Sequence, residues 1–280
     1  MSHFAALDLY PWWTLVVAGT LGLLTGTLVT SVIARLPVMM AQAWEQDIAE
    51  YRNEALPPPE RFTLFRPAPH CPQCKHRLRW RDQAPVLSWA ALRRRCRDCG
   101  ARISTMYPVV EGVTALLFMA CVLVYGWQAY TVLAWVFCAF CVALAAIDWR
   151  TQLLPDTLTL GLLWLGLLVN VWADRVALAD AVLGAAAGYA VLWSVYWVYR
   201  LLTGKEGMGH GDFKLFAALG AWFGWQALPW MMTMAAVAGV FVGGGLMLKK
   251  GKRLDEVLPF GPYLAASGCV QLLFGLQGGL

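Results

Sequence analysis

Eight long apolar runs leave this chain little choice of architecture. They cover residues 11–34, 108–127, 130–147, 157–173, 177–201, 213–227, 229–248 and 259–277. A helix crossing the hydrocarbon needs about 20 predominantly apolar residues. A helix also satisfies its own backbone groups where no water can. Hydrophobic residues fill 59% of the 280 positions and charged ones 14%, less charge than a soluble chain of this length would carry. The expected fold class is an all-α polytopic membrane protein of about eight transmembrane helices. The runs at 157–173 and 213–227 are short, and each directly follows a polar segment. Helices that are cut short in this way are common where backbone lines a buried polar site, and the sixth run is short enough to be partly re-entrant.

Basic residues set the expected orientation. Of the 22 Lys and Arg, 13 lie between Arg35 and Arg102. Placing that segment in the cytoplasm also puts Arg150, Arg200, Lys205, Lys249, Lys250, Lys252 and Arg253 there. Arg175, beside Asp174 and Asp180, falls outside, as do both termini. The net charge of +5 therefore reads as topology and not as nucleic-acid binding. The first run has no basic stretch before it and is long for a signal peptide, so it is expected to stay as an anchor. Three parts follow: an N-terminal transmembrane helix at 1–34, a cytoplasmic zinc-binding domain at 35–107, and a helix bundle at 108–280.

The cytoplasmic part is expected to begin with an amphipathic helix at 41–55, with Trp44, Ile48 and Tyr51 on one side and the proline run at 56–59 ending it. The remainder is Arg-rich and too small to rest on an apolar core alone. Cys71, Cys74, Cys96 and Cys99 form two Cys-x2-Cys knuckles separated by 21 residues, close to the spacing of four thiolates around a tetrahedral zinc. A reducing cytoplasm favours metal over disulfides. A four-cysteine shell is closed, so the zinc is expected to fold the loop and not to catalyse. His70 and His76 flank the first knuckle as spare donors. Cys121, Cys138, Cys141 and Cys269 lie within apolar runs and read as small packing residues.

Chemistry is expected at two aspartates. Asp148 ends the apolar run of residues 142–147, and Asp212 closes the glycine-rich stretch of residues 207–212. Ionisable groups at membrane depth are costly and usually mark a proton, ion or catalytic site. Two carboxyls sharing a low-dielectric site cannot both ionise easily, so one holds a proton while the other acts as base. That is the acid–base pair of an aspartic protease. The bland alternative for Asp148 is an ion pair with Arg150 at the span end. Asp156 or Thr157 reads as the N-cap of the next helix. The glycines let Asp212 approach another helix or an extended peptide closely. A phosphate-binding loop is disfavoured, because the stretch follows an apolar span and lacks the Lys-Ser/Thr ending. His210 can tune Asp212 or be incidental, Lys214 reads as snorkelling to the interface, and Glu111 reads as structural.

Taken together, Ile147-Asp148, Leu154-Pro-Asp156, Gly207-Met-Gly-His-Gly-Asp212-x-Lys214-Leu215, the two cysteine knuckles, Arg35-Leu-Pro37 and Leu258-Pro-Phe-Gly-Pro262 resemble the bacterial type IV prepilin peptidases, also called leader peptidase/N-methyltransferases. The likeness covers nearly the whole chain. It implies that Asp148 and Asp212 are the catalytic pair, and that prepilins and pseudopilins are cleaved after a glycine at the cytoplasmic face of the inner membrane. It further implies methylation of the new N-terminal residue, commonly Phe, with S-adenosylmethionine as donor. Two places depart from the family's usual wording: Gly26-Thr-Leu-Val-Thr30 stands for Gly-Ser-Phe-Leu-Asn, and Ala68-Pro-His70 replaces an Arg-Ser lead-in to the first knuckle. No nucleotide-binding fingerprint shows where the methyl donor would sit, and the zinc domain, or its junction with the spans, is the expected place by elimination. The partners are the prepilin substrates and membrane lipid. Two other classes compete: a proton-coupled transporter with a zinc-ribbon regulatory loop, and a membrane-anchored zinc-ribbon adaptor without chemistry. The transporter requires carboxylates near the bilayer centre.

Overall fold

A computed structural model describes residues 11–54, 62–71, 73–205, 207–250 and 259–275. Among these the structure is helical apart from two isolated antiparallel bridges, His70 with Arg77 and Arg95 with Arg102. The chain divides into two compact units, the first ending at Gly126 and the second beginning at Trp127.

The first unit holds α1 (Trp12–Tyr51), the short α2 (Leu87–Ala91) and α3 (Met106–Tyr125). α1 and α3 pack with their backbones nearly touching at Gly22 and Gly26, one helical turn apart. A Cβ on Gly26 would lie 2.7 Å from the Cα of Glu111. Small residues four apart allow this approach where apolar burial gives helices no preference for each other over lipid. The separate amphipathic helix expected at 41–55 is instead the continuation of α1, which runs unbroken for 40 residues through Pro37. Good helix formers around Met39 to Gln46 outweigh the hydrogen bond that the proline removes. Trp44, Ile48 and Tyr51 lie exposed along one stripe, as expected. α1 ends at Tyr51, and the proline run at 56–59 lies outside the described residues.

Six helices follow in the second unit: α4 (Ala129–Thr151), α5 (Asp156–Ala173), α6 (Leu178–Thr203), α7 (His210–Phe223), α8 (Leu228–Lys250) and α9 (Gly261–Phe274). α7 is its centre and packs against α5, α6 and α9. From Asp212 to Trp222 every residue of α7 except Lys214 is buried. On α6, Gly184 and Gly188 repeat the small-residue spacing, and Gly184 faces Gly220 of α7 so closely that neither has room for a Cβ. Polar ties hold α5 to α7. Asn170 Nδ2 donates to the carbonyl of Ala221 at 2.9 Å, and Trp222 Nε1 donates to the carbonyl of Leu162 at 2.9 Å.

Among the described residues six helices are long and apolar enough to cross a membrane: α1, α3, α4, α5, α6 and α8. The expected count was eight. The other two runs do form helices, but α7 and α9 have 14 residues each. That length spans about 21 Å at 1.5 Å per residue, less than the hydrocarbon thickness of about 30 Å. α7 can be short because protein surrounds it, so its ends need not reach water directly. The last positions of the eighth expected run, 276 and 277, lie outside the described residues.

Candidate active site and metal centre

Asp148 stands in the last turn of α4, one turn before the left-handed Gln152 that ends the helix and whose N–H returns to the Asp148 carbonyl at 2.9 Å. The C-terminus of a helix is electrostatically a poor place for a carboxylate. α9 supplies the compensation. The backbone N–H of Gly261, at its first turn, donates to Asp148 Oδ2 at 3.0 Å, so the positive end of a second helix meets the carboxyl. A Cβ on Gly261 would sit 2.6 Å from that same oxygen, so only glycine lets the N–H approach. Asp148 is 5% exposed, and the partner the structure gives it is Gly261, not Arg150.

Asp212 lies in the first turn of α7 and is 6% exposed. Gly211 brings it in: a Cβ there would meet the Cβ of Leu154 at 2.6 Å, so the loop after α4 and the start of α7 close only over a glycine. The two aspartates line one cavity of ≈ 70 Å³ together with Gln152, Met208 and Phe260. At about 30 Å³ per water in the liquid, the cavity has room for roughly two waters. Asp212 Oδ1 is buried and accepts no hydrogen bond from the protein, so its partner has to come from the cavity.

The remaining polar residues of this region sort themselves. Asp156 is not a cap: Pro155 holds the N-cap position of α5 without a side-chain bond. Its carboxylate instead takes Lys214 Nζ at 2.6 and 2.7 Å, so Lys214 pairs and does not snorkel. His210 packs its ring against Tyr196 and Phe213, with centroids 5.2 and 5.4 Å away. Glu111 is buried within the first unit, where Oε1 accepts from Thr27 Oγ1 at 3.2 Å and Oε2 from the Val86 N–H at 2.8 Å. Val86 has φ 54°, a costly conformation for a β-branched residue, and this bond helps to hold it. Reading from the sequence assigned no role to Gly261 or Gln152. The Phe-Gly-Pro signature at a helix start was visible, but which carboxyl it would face was not.

The four cysteines between α1 and α3 come together with all four sulfurs within 4.8 Å of one another, and Cys71 Sγ lies 3.8 Å from Cys99 Sγ. Four sulfurs about 2.3 Å from a tetrahedral zinc would stand ~3.8 Å apart. The two knuckles share one construction. Cys71 N–H donates to the His76 carbonyl at 3.0 Å and Lys75 N–H to the Cys71 carbonyl at 2.9 Å; Cys96 and Gly100 repeat both bonds. Lys75 and Gly100 are both left-handed, at φ 56° and 70°. The backbone N–H of Cys74 brings the Cys71 thiol down to about 7; burial opposes it, and the Gln73 N–H and the sulfurs of Cys74 and Cys99 outweigh that burial. The Cys74 thiol is pushed up to about 12: the His76 N–H favours its thiolate, but desolvation and the sulfurs of Cys71, Cys99 and Cys96 outweigh it. Four thiols this close cannot all ionise unaided, and a divalent cation would supply the missing charge. His70 is engaged elsewhere, with Nδ1 2.9 Å from the Ala68 carbonyl, and His76 faces Asp98 at 3.7 Å.

Comparison with known proteins agrees with this layout. Residues 135–244 match the type IV leader peptidase family, and residues 20–125 match the bacterial peptidase A24 N-terminal domain. The break between the two matches falls where the two compact units meet in the chain. A prepilin leader peptidase/N-methyltransferase of Aeromonas salmonicida (strain A449) is 47% identical over 272 residues, covering 95% of this chain and 92% of the relative. Proteins of the same name from Burkholderia pseudomallei (strain K96243) and Pseudomonas putida are 45% and 44% identical, covering 98% of this chain and 89% and 96% of their own lengths. No solved structure matches. With identity at this level running from end to end, the chain belongs to the type IV leader peptidase family.

Proposed function

We propose that this multi-pass membrane protein is an aspartic endopeptidase that removes the leader of prepilins and pseudopilins and N-methylates the residue so exposed. The observation that carries the peptidase reading is the shared cavity of Asp148 and Asp212. Asp148, its Oδ2 held by the Gly261 N–H, is the ionised member and takes a proton from a water in the cavity. Asp212 carries the shared proton on a carboxyl with a free buried oxygen and gives it to the scissile carbonyl. The leaving amine then takes the proton that Asp148 drew from the water, and Asp212 recovers its own as the tetrahedral hydroxyl collapses to the new carboxyl. Because the two groups interact, they titrate as one pair. Both sit at helix ends, where a polar leader meets an apolar segment. A proton-relaying transporter needs them deep in the bilayer, whereas Asp148 stands in the last turn of α4 and Asp212 in the first turn of α7.

Asp148→Asn and Asp212→Asn are each expected to lower leader cleavage by about 10²–10⁴-fold, with the protein still inserted. Membranes carrying each variant, incubated with a prepilin and read by the size shift and N-terminal mass, make the check. Near-normal processing in either variant would sink the pair.

Cys71, Cys74, Cys96 and Cys99 would hold zinc, which supplies a folded cross-link and has no open position for a substrate. Methyl transfer is carried over from the relatives' names and calls for S-adenosylmethionine. Glu111 is the buried carboxylate among the described residues of the first unit, and its two oxygens each accept one hydrogen bond, from Thr27 and from Val86. The basic-residue asymmetry supports a bacterial inner-membrane location, with the cysteine segment in the cytoplasm and both termini periplasmic.

A further inference from the structure

Beside the carboxyl cavity lies a larger groove that the hydrolytic chemistry does not use. It measures ≈ 310 Å³ and is lined by Val195, Tyr196 and Tyr199 of α6 with Gly207 and Met208 of the loop before α7. Gly207 and Met208 also line the cavity of Asp148 and Asp212, so the two spaces share a wall. The floor is rigid. Tyr196 is 3% exposed, packs on His210 and Phe213, and has its hydroxyl held by Arg200 Nη1 at 3.0 Å. The rim is open, with Tyr199 and Val195 43% and 52% exposed. Gly207 fixes the join between groove and cavity: a Cβ there would stand 2.7 Å from the Tyr199 ring.

We infer that this groove is the subsite for the large apolar side chain immediately on the mature side of the cut. The inference rests on the peptidase reading above. For a peptide whose scissile carbonyl lies between the carboxyls, Gly207 and Met208 are the shared wall past which its next side chain can enter the groove. An apolar one gains most from these aromatic and aliphatic walls. Direction selects the mature side. α6 ends at Thr203, and Val195 lies two turns before that end, about 12 Å back along the helix. The groove thus leads from the helix end toward membrane depth, where a substrate's apolar segment lies, and away from the aqueous side that holds a polar leader.

The test uses the full-length protein in membranes and prepilin substrates with Phe, Leu or Ala as first mature residue. In the parent protein, kcat/KM is expected to fall from Phe to Ala. Val195→Trp fills the groove at a position that is half exposed. It is expected to shrink the Phe-to-Ala ratio by at least about tenfold, through loss of cleavage of the Phe substrate. Met208→Ala, which widens the shared wall, should improve cleavage of a substrate with Trp first relative to Phe. A ratio unchanged in both variants would mean that lipid fills the groove, and would overturn the proposal. Asp148→Asn measured alongside separates the two failures. If it still cleaves, the peptidase reading and the subsite fall together. If it is inert while the ratios stay fixed, the subsite falls alone.

Discussion

At the scale of single residues, the site depends on what glycines leave out. Gly261 lets a backbone N–H reach Asp148, and Gly211 lets the start of α7 reach Leu154. Gly261→Ala puts a methyl group against the carboxylate oxygen, so either the hydrogen bond or the position of Asp148 must give. A displacement of about 1 Å in a catalytic group costs on the order of 10²-fold in rate. Cleavage should fall by that order while the amount of inserted protein stays near the parent level, as read by kcat on a prepilin and by blotting of membranes. Both carboxyls were legible in the sequence, because an acidic residue at the edge of an apolar run is expensive and stands out. Asp156 was legible too but was misassigned. A carboxylate after Pro155 looks like a cap from local sequence alone, and its real partner, Lys214, is 58 residues away. Gly261 went unassigned for the same reason: the donor and its acceptor are 113 residues apart.

At the scale of helices, apolar length told where each element runs but not how far it reaches. All eight runs became helices, yet α7 and α9 fall short of a span, since a helix wrapped in protein is apolar for reasons other than lipid. Hydropathy does not distinguish burial in a bundle from burial in a bilayer. The amphipathic stripe of Trp44, Ile48 and Tyr51 was correctly phased, whereas the helix boundary before it was not, because Pro37 sits inside α1 without ending it. The crossing of α6 over α7 makes its own prediction. Gly184→Leu drives a branched side chain into the backbone of Gly220 and should destabilise the bundle by about 1–3 kcal/mol, the usual cost of overpacking. Thermal unfolding of the purified protein in detergent, compared with the parent, would register the loss. An unchanged midpoint would show that the two helices can slide apart.

For the whole molecule, a segment too small for an apolar core has its cross-link built from sulfur. The spacing of the cysteines announced the cluster, and the structure brings all four sulfurs within reach of a single ion. Removing the metal with a strong chelator, or replacing Cys71 by Ser, should leave residues 73–104 open to protease while α4 to α9 stay resistant. Equal resistance with and without chelator would exclude a folding role for the ion. Assaying cleavage and methylation separately on the same Cys71→Ser protein tests whether the methyl-transfer function depends on that segment. Unaltered methylation would count against it.

The hydrogen bond from Gly261 to Asp148 also has a consequence in time. Its acceptor is made early in synthesis of the second unit, and its donor belongs to the last helix described. A nascent chain that has already threaded α4 and α7 into the bilayer holds both acids but not the amide that orients one of them. With Asp148 and Asp212 as the proposed catalytic pair, competence for hydrolysis is therefore expected only once α9 is in place.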